Sequence, residues 1–129
     1  MGLLAACFTV HVLGASMAPT LQHGAFYEYC DVDTVKRNDI VVFNRTSNGR
    51  PEVLVKRVTG VPGDSLGVTF GLGVPKWEIA KVIPLGYYHV QSDNLSSRWD
   101  SRRWGLISKE QIRGTVFGKL NKQGKAYSD

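Results

Sequence analysis

Short runs of Val, Ile, Phe and Tyr, each broken within a few residues by Gly, Pro or Asn, follow one another along most of the chain. Such runs read as strands separated by turns. They predict strands near residues 7–13, 25–30, 39–43, 52–59, 86–91 and 113–119. The stretch Ser108-Lys109-Glu110-Gln111-Ile112 has the look of a helical turn, with Ser108 as its N-cap. Asn44 to Pro51 reads as a polar hairpin loop and Gly67 to Gly73 as a second connection. The residues from Asn121 to Asp129 are polar and expected to fray. The expectation is a mainly β fold: one compact domain of twisted antiparallel sheets over residues 1–129, with residues 1–9 as a flank.

Length supports that picture, since 129 residues suit one domain with a sizeable core. The 16 Lys and Arg against 11 Asp and Glu give a net charge of +5, which suits nucleic acid or an anionic membrane surface. No nucleic-acid-binding motif accompanies it. Arg98, Arg102 and Arg103 are interleaved with acids and with Trp99 and Trp104. Those indoles suit either a lipid headgroup layer or the edge of the core. A membrane surface is therefore the expected partner, and nucleic acid is not. Cys7 and Cys30 either pair in an oxidising space or pack as small hydrophobes. With no Cys-His ligand spacing, neither metal nor cofactor is expected. His11, His23 and His89 are scattered and receive no catalytic role. The apolar run from Gly2 to Leu13 is short of the roughly 20 residues that span a bilayer.

The chemistry concentrates in Ser16 and Lys56. Gly14-Ala15 lets the backbone turn tightly ahead of Ser16, and Pro19 stiffens the exit. Lys56 lies in the β-branched run Val53-Leu54-Val55-Lys56-Arg57-Val58, just before the turn Gly60-Val61-Pro62-Gly63-Asp64. On strand context alone two readings stand: a solvated lysine guarding an edge, or a desolvated amine. An exposed lysine, with a pKa of about 10.4, is a poor base at neutral pH, whereas burial can lower it by several units. A neutral amine can then take the proton of a serine, so Ser and Lys make a complete nucleophile and base.

Four segments in order resemble the consecutive boxes of type I signal peptidases: Ser16-Met17-Ala18-Pro19-Thr20-Leu21, Arg37 through Phe43, Lys56 through Asp64, and Asp93-Asn94 through Asp100-Ser101-Arg102. The match extends over residues 10 to 117. The resemblance implies that Ser16 is the nucleophile and Lys56 its general base, with the backbone N–H of the nucleophile holding the oxyanion. It also implies that Met17, Leu21, Val12 and Leu54 line the pocket for the residue before the cut. Val10, Val42 and Val55 would line the pocket two residues further back. Asp93, Asp100 and Arg102 resemble the charged framework under the site, with Arg57 as a partner for Asp93 or Asp100.

Two positions depart from the family pattern. Gly14 stands where relatives carry a hydroxyl that assists the oxyanion, and Arg98 stands where many carry a serine that hydrogen-bonds the lysine. Ser96 and Ser97 are both candidates to replace that second hydroxyl. The resemblance implies a membrane-associated serine endopeptidase on the extracytoplasmic side that removes leader peptides after small residues. Two alternatives remain: a self-cleaving protease of the repressor and mutagenesis-protein type, and a catalytically silent peptide-binding module.

Overall fold

The structure, a computed structural model, describes residues 6–66 and 81–120. Strands β1 (Cys7–His11), β2 (Phe26–Cys30), β3 (Ile40–Ser47) and β4 (Arg50–Gly60) come first. The short β5 (Ser65–Leu66) and β6 (Lys81–Val82) pair as a two-stranded ribbon. Then follow β7 (Tyr87–Gln91), the one-turn helix α1 (Ser101–Trp104), β8 (Ile107–Ser108), a 3₁₀ turn (Lys109–Gln111) and β9 (Ile112–Leu120). Seven strands form one antiparallel sheet in the order β1-β2-β9-β3-β4-β7-β8. The predicted connection at Gly67–Gly73 and the tail from Asn121 lie outside the described residues, as do residues 1–5 of the flank.

The segment read as a polar hairpin loop, Asn44 to Pro51, is a hairpin whose strands reach further into it than expected. β3 runs on to Ser47 and β4 starts at Arg50, leaving Asn48 and Gly49 as the turn, with φ of 51° and 77°. Two successive positive φ values define the type I′ turn, whose twist matches that of the flanking strands, and Asn-Gly adopts it most readily. The polar residues around it are ladder residues with solvated side chains. Ser108 does stand at the N-cap of the 3₁₀ turn, its N–H bonded to Gln111 Oε1 at 2.8 Å.

Both faces of the sheet are covered. On one, Val41, Phe43, Val58, Val90, Tyr88, Ile107 and Val35 form a core, with Leu54 and Trp104 against it. On the other, Val12, Met17, Leu21 and Tyr27 form a second core, with Val10, Ile40, Val55 and Val116 against it. Alternation along β4 divides its side chains between the two, Leu54 to the first and Val55 to the second.

The second core also reveals the curvature of the sheet. Val10 on β1 and Val55 on β4 reach the same cluster, although three strands separate them in the sheet order. In a flat sheet their strands would lie about 19 Å apart at the usual spacing. The sheet therefore curves, and Val12, Met17, Leu21 and Tyr27 fill the space between the two strands on this face. On that side β4 is unpaired among the described strands up to Lys56, because β7 joins it at Arg57 and beyond.

A disulfide links Cys7 and Cys30, residues directly opposite in the β1–β2 register. This resolves the alternatives left open for the two cysteines. It pins the register of β1, where a slip by one residue would turn Val10 and Val12 to the wrong face.

Candidate active site

Ser16 lies in the turn that leaves β1. The Gly14 φ of 101° belongs to the region glycine favours, and its N–H donates to His23 Nδ1 at 2.7 Å. The Ala18 N–H returns to the Ala15 carbonyl at 3.1 Å and the Leu21 N–H to the Met17 carbonyl at 2.9 Å, giving a compact loop through the cis Ala18–Pro19 bond. Met17 and Leu21 plug this loop into the second core. Ser16 is half-buried at the rim.

Lys56 is 3% exposed. Burial pushes its pKa below the ordinary 10.5, and the charge of Asp100 pulls partly the other way. Among the described residues no carboxylate stands within ion-pair distance of it. A buried ammonium without a close counter-ion is costly, and losing its proton relieves that cost. The sequence left a solvated edge lysine as one reading, and the structure buries the side chain.

The flanks of the two residues are tied together. Met17, next to Ser16, and Val55, next to Lys56, pack in one cluster. Arg57, on the other side of Lys56, binds Asp93 through Nε at 2.8 Å and Nη2 at 2.7 Å. Asp93 accepts in turn from Thr20 Oγ1 at 2.6 Å, and its N–H meets Met17 Sδ at 3.4 Å. The Asn94 N–H donates to the Ser16 carbonyl and its Nδ2 to the Ala15 carbonyl, both at 2.9 Å. The loop after β7 thus joins the serine turn to the lysine strand. The Arg57 bonds, with some opposition from burial and further help from Thr20, hold the Asp93 carboxyl below the usual carboxylate range.

A second acid, Asp100, is fully buried. Burial acts to raise its pKa, but the bonds from Arg102 and from the Ser92 and Arg102 N–H groups outweigh this and leave it lowered. Arg102 reaches it through Nε at 3.0 Å and Nη2 at 2.7 Å, and the Arg102 N–H adds a bond at 3.0 Å that caps α1. The Ser92 N–H donates to it at 2.8 Å, while Arg102 Nη2 also holds the Ser97 carbonyl at 2.9 Å. Ser101 is buried and accepts the Val90 N–H at 2.9 Å. Of the two partners considered for Arg57, Asp93 takes it and Asp100 belongs to Arg102.

Five of the seven residues expected to line the substrate pockets, Val10, Val12, Met17, Leu21 and Val55, gather in the second core. Val42 is buried on β3 opposite Val55. Leu54 is not with them: it packs on the first core. Arg98 and Ser96 are exposed, and Ser97 is half-buried with its hydroxyl 3.1 Å from that of Ser92. Trp104 packs beside Phe43 at the core edge, and Trp99 is 44% exposed. Arg45 lies over both indoles. His89 is buried with its pKa pushed down to about 4, burial outweighing the pull of Asp100, and stays neutral at pH 7. Ser92 went unmarked in the sequence, and Thr20 and Asn94 entered it only as members of the boxes, because their contacts with Asp93 and with the Ala15 carbonyl join segments far apart along the chain.

A mainly β domain with one antiparallel sheet, a buried lysine on β4 and a serine turn tied to that strand's neighbours is consistent with a serine endopeptidase. The chain belongs to the family described as "Signal peptidase, peptidase S26", whose profile matches residues 2–72 and 68–120. It is 32% identical over 111 residues to the mouse (Mus musculus) mitochondrial inner membrane protease subunit 1, an alignment covering 83% of this chain and 65% of that protein. It is 30% identical over 139 residues to signal peptidase I of Bacillus caldolyticus, covering 81% and 74%. To the Arabidopsis thaliana mitochondrial ATP-independent inner membrane protease subunit 1a it is 29% identical over 113 residues, covering 84% and 67%. The chain thus spans about 65% of the length of the mouse relative. Among the described residues no helix is long and apolar enough to cross a membrane.

Proposed function

We propose that this chain is a single peptidase domain that removes leader peptides from exported precursor proteins after small residues, with Ser16 as nucleophile and Lys56 as general base. The observation that carries the reading is the burial of Lys56 on a strand whose neighbours, Val55 and Arg57, share partners with the residues of the Ser16 turn. Lys56 takes the Ser16 proton as Oγ attacks the scissile carbonyl. The resulting oxyanion is held by the Ser16 N–H. The ammonium of Lys56 returns the proton to the departing amine, and an acyl-enzyme remains. Water, giving its proton to the same amine, attacks the ester and frees the serine. Gly14 brings no second hydroxyl to the oxyanion, a loss of up to about 2.7–4 kcal/mol of transition-state stabilisation if nothing replaces it.

The substrate enters as an extended strand between β1 and the unpaired edge of β4, so that alternate side chains point into the second core. Val10, Val12, Met17, Leu21 and Val55 leave shallow apolar wells there. The working site lies at the membrane on its extracytoplasmic side. The membrane proteases among the relatives and the Cys7–Cys30 bond, which needs an oxidising compartment, support this placement.

Incubation of the protein with a serine-directed acylating probe and, separately, with a precursor supplied in trans tests the reading. Acylation at Ser16 together with cleavage after a small residue is the expected result. Binding of the precursor without acylation would make the chain a silent peptide-binding module, and cleavage confined to its own chain would make it a self-processing protease.

A further inference from the structure

Arg98 occupies the position from which the resemblance expects a hydroxyl on the catalytic lysine, and it points to solvent. The hydroxyls on the buried side of the same loop are those of Ser92 and Ser97, 3.1 Å apart, with Ser92 only 8% exposed. The β4–β7 register locates them. Val58 pairs with Val90 and Arg57 with Gln91, the last rung of the ladder; carried one step beyond it, the register sets Ser92 across from Lys56. Directly opposed residues of an antiparallel pair point to the same face with Cβ atoms about 4.5–5.5 Å apart, within reach of a lysine amine.

We infer that Ser92, steadied by Ser97, is the positioning residue for Lys56, and that its hydroxyl stands in for the one Arg98 cannot supply. This rests on the serine-lysine reading above. A serine hydroxyl offers one donor and two acceptor sites. The bond between Ser92 and Ser97 uses one donor and one acceptor of the pair, leaving lone pairs for an N–H of Lys56. The amine lone pair is then turned toward Ser16. Asp100 cannot take that place at close range, since its oxygens are occupied by Arg102 and by the Ser92 N–H. Its part is to hold the hydroxyl pair: one bond goes to Ser92 directly, and Arg102 carries another to the Ser97 carbonyl. Asp100 is the charge that acts on Lys56, and Asp100 in turn faces Arg102 and His89, while the Arg57–Asp93 pair stands beside Lys56 along β4. None is altered in the variants below.

The test compares Ser92→Ala, Ser92→Thr and, as an exposed control, Ser96→Ala in the full chain. Steady-state cleavage and ¹³C NMR titration of the Lys56 side chain are measured for each. The Ser92 N–H bond to Asp100 survives in all three. Ser92→Ala should lower kcat about ten- to hundredfold with KM little changed, as expected of a misaligned base. It should also lower the Lys56 titration midpoint by about one pH unit, because a hydroxyl that accepts from the ammonium favours the charged form. Ser92→Thr should recover most of both, and Ser96→Ala should match the wild type. A folded Ser92→Ala with unchanged kcat and unchanged Lys56 midpoint would overturn the inference, as would a Ser92→Thr as impaired as the alanine variant. Should Ser16 resist acylation in the wild type, the dyad reading fails by itself, while the Lys56 resonance still reports whether Ser92 touches it.

Discussion

Two acid–arginine pairs flank Lys56, and they differ in almost everything but composition. Arg57 and Asp93 lie half-buried at the rim, and Asp93 links the lysine strand to Thr20 in the serine turn. Asp100 and Arg102 are neighbours on one loop, with Asp100 fully buried, and they brace that loop and α1 internally. The rim pair therefore controls the distance between two parts of the site. The buried pair controls the shape of one part and the field at Lys56. A carboxylate 0% exposed with four bonds cannot be loosened gradually, whereas one shared with water can.

The largest effect belongs to the residues between the pairs. Ser16→Ala, Lys56→Ala and Lys56→Arg should each abolish cleavage in folded protein, since the proposed dyad would act as a unit and guanidinium does not accept a proton. In the wild type the rate should rise with pH through a lysine midpoint below 10.5, and Ser16 acylation should follow the same curve. Lys56→Met, equally inactive, should be the more stable protein. The unfolded chain holds a proton on Lys56 up to pH 10.5 while the folded chain gives it up at lower pH. The wild type thus gains stability as pH rises through that window, and the advantage of the methionine variant is full below it and fades above it. Thermal melts of both proteins across pH check the sign.

Removal of the buried carboxylate comes next. Asp100→Asn leaves Arg102 half-buried without its counter-ion and should cost about 3–5 kcal/mol by denaturant unfolding. Asp93→Asn, at the rim, should cost about 1 kcal/mol or less, yet it should slow cleavage because the serine turn loses its tie to β4. Equal losses from the two substitutions would erase the distinction between the pairs. Acid should separate them as well: both carboxyls sit below the usual 3.8, so each contributes stability that is present above that value and lost as pH falls through its depressed pKa.

Val55→Ala sharpens the contrast from the pocket side, leaving both pairs intact. It should widen acceptance of larger residues two positions back from the residue before the cut, with about 1–3 kcal/mol of discrimination lost per methylene of added room. A library of cleavage-site variants reads this directly. An unchanged preference would put Val55 in the core and out of the pocket.

The strands were legible because β-branched runs bounded by Gly and Pro carry a local signal. The four boxes pointed to Ser16 and Lys56 for a similar reason, since each is a contiguous segment. The hairpin at Asn48-Gly49 was equally local and was read, but the polar ladder residues beside it made its loop look longer than two residues. Helix α1 is four residues long and owes its form to Asp100 at its N-cap, so no periodicity announces it. The side taken by Leu54 follows from alternation with Val55, which a family position does not encode. The Cys7–Cys30 bond and the tie from Thr20 to Asp93 depend on pairings distant in sequence, and composition is silent about those.

The unpaired stretch of β4 has a further consequence for handling the protein. A strand edge with no partner among the described residues is a template for any extended chain, a second copy of this one included. Concentrated solutions should therefore be prone to edge-to-edge association, with the entering precursor and the neighbouring molecule competing for one ladder. Arg50, Pro51 and Glu52 stand at the hairpin end of that strand. Two charges and a residue without an N–H are the usual deterrents to such pairing, and here they guard the end of the edge farthest from the lysine.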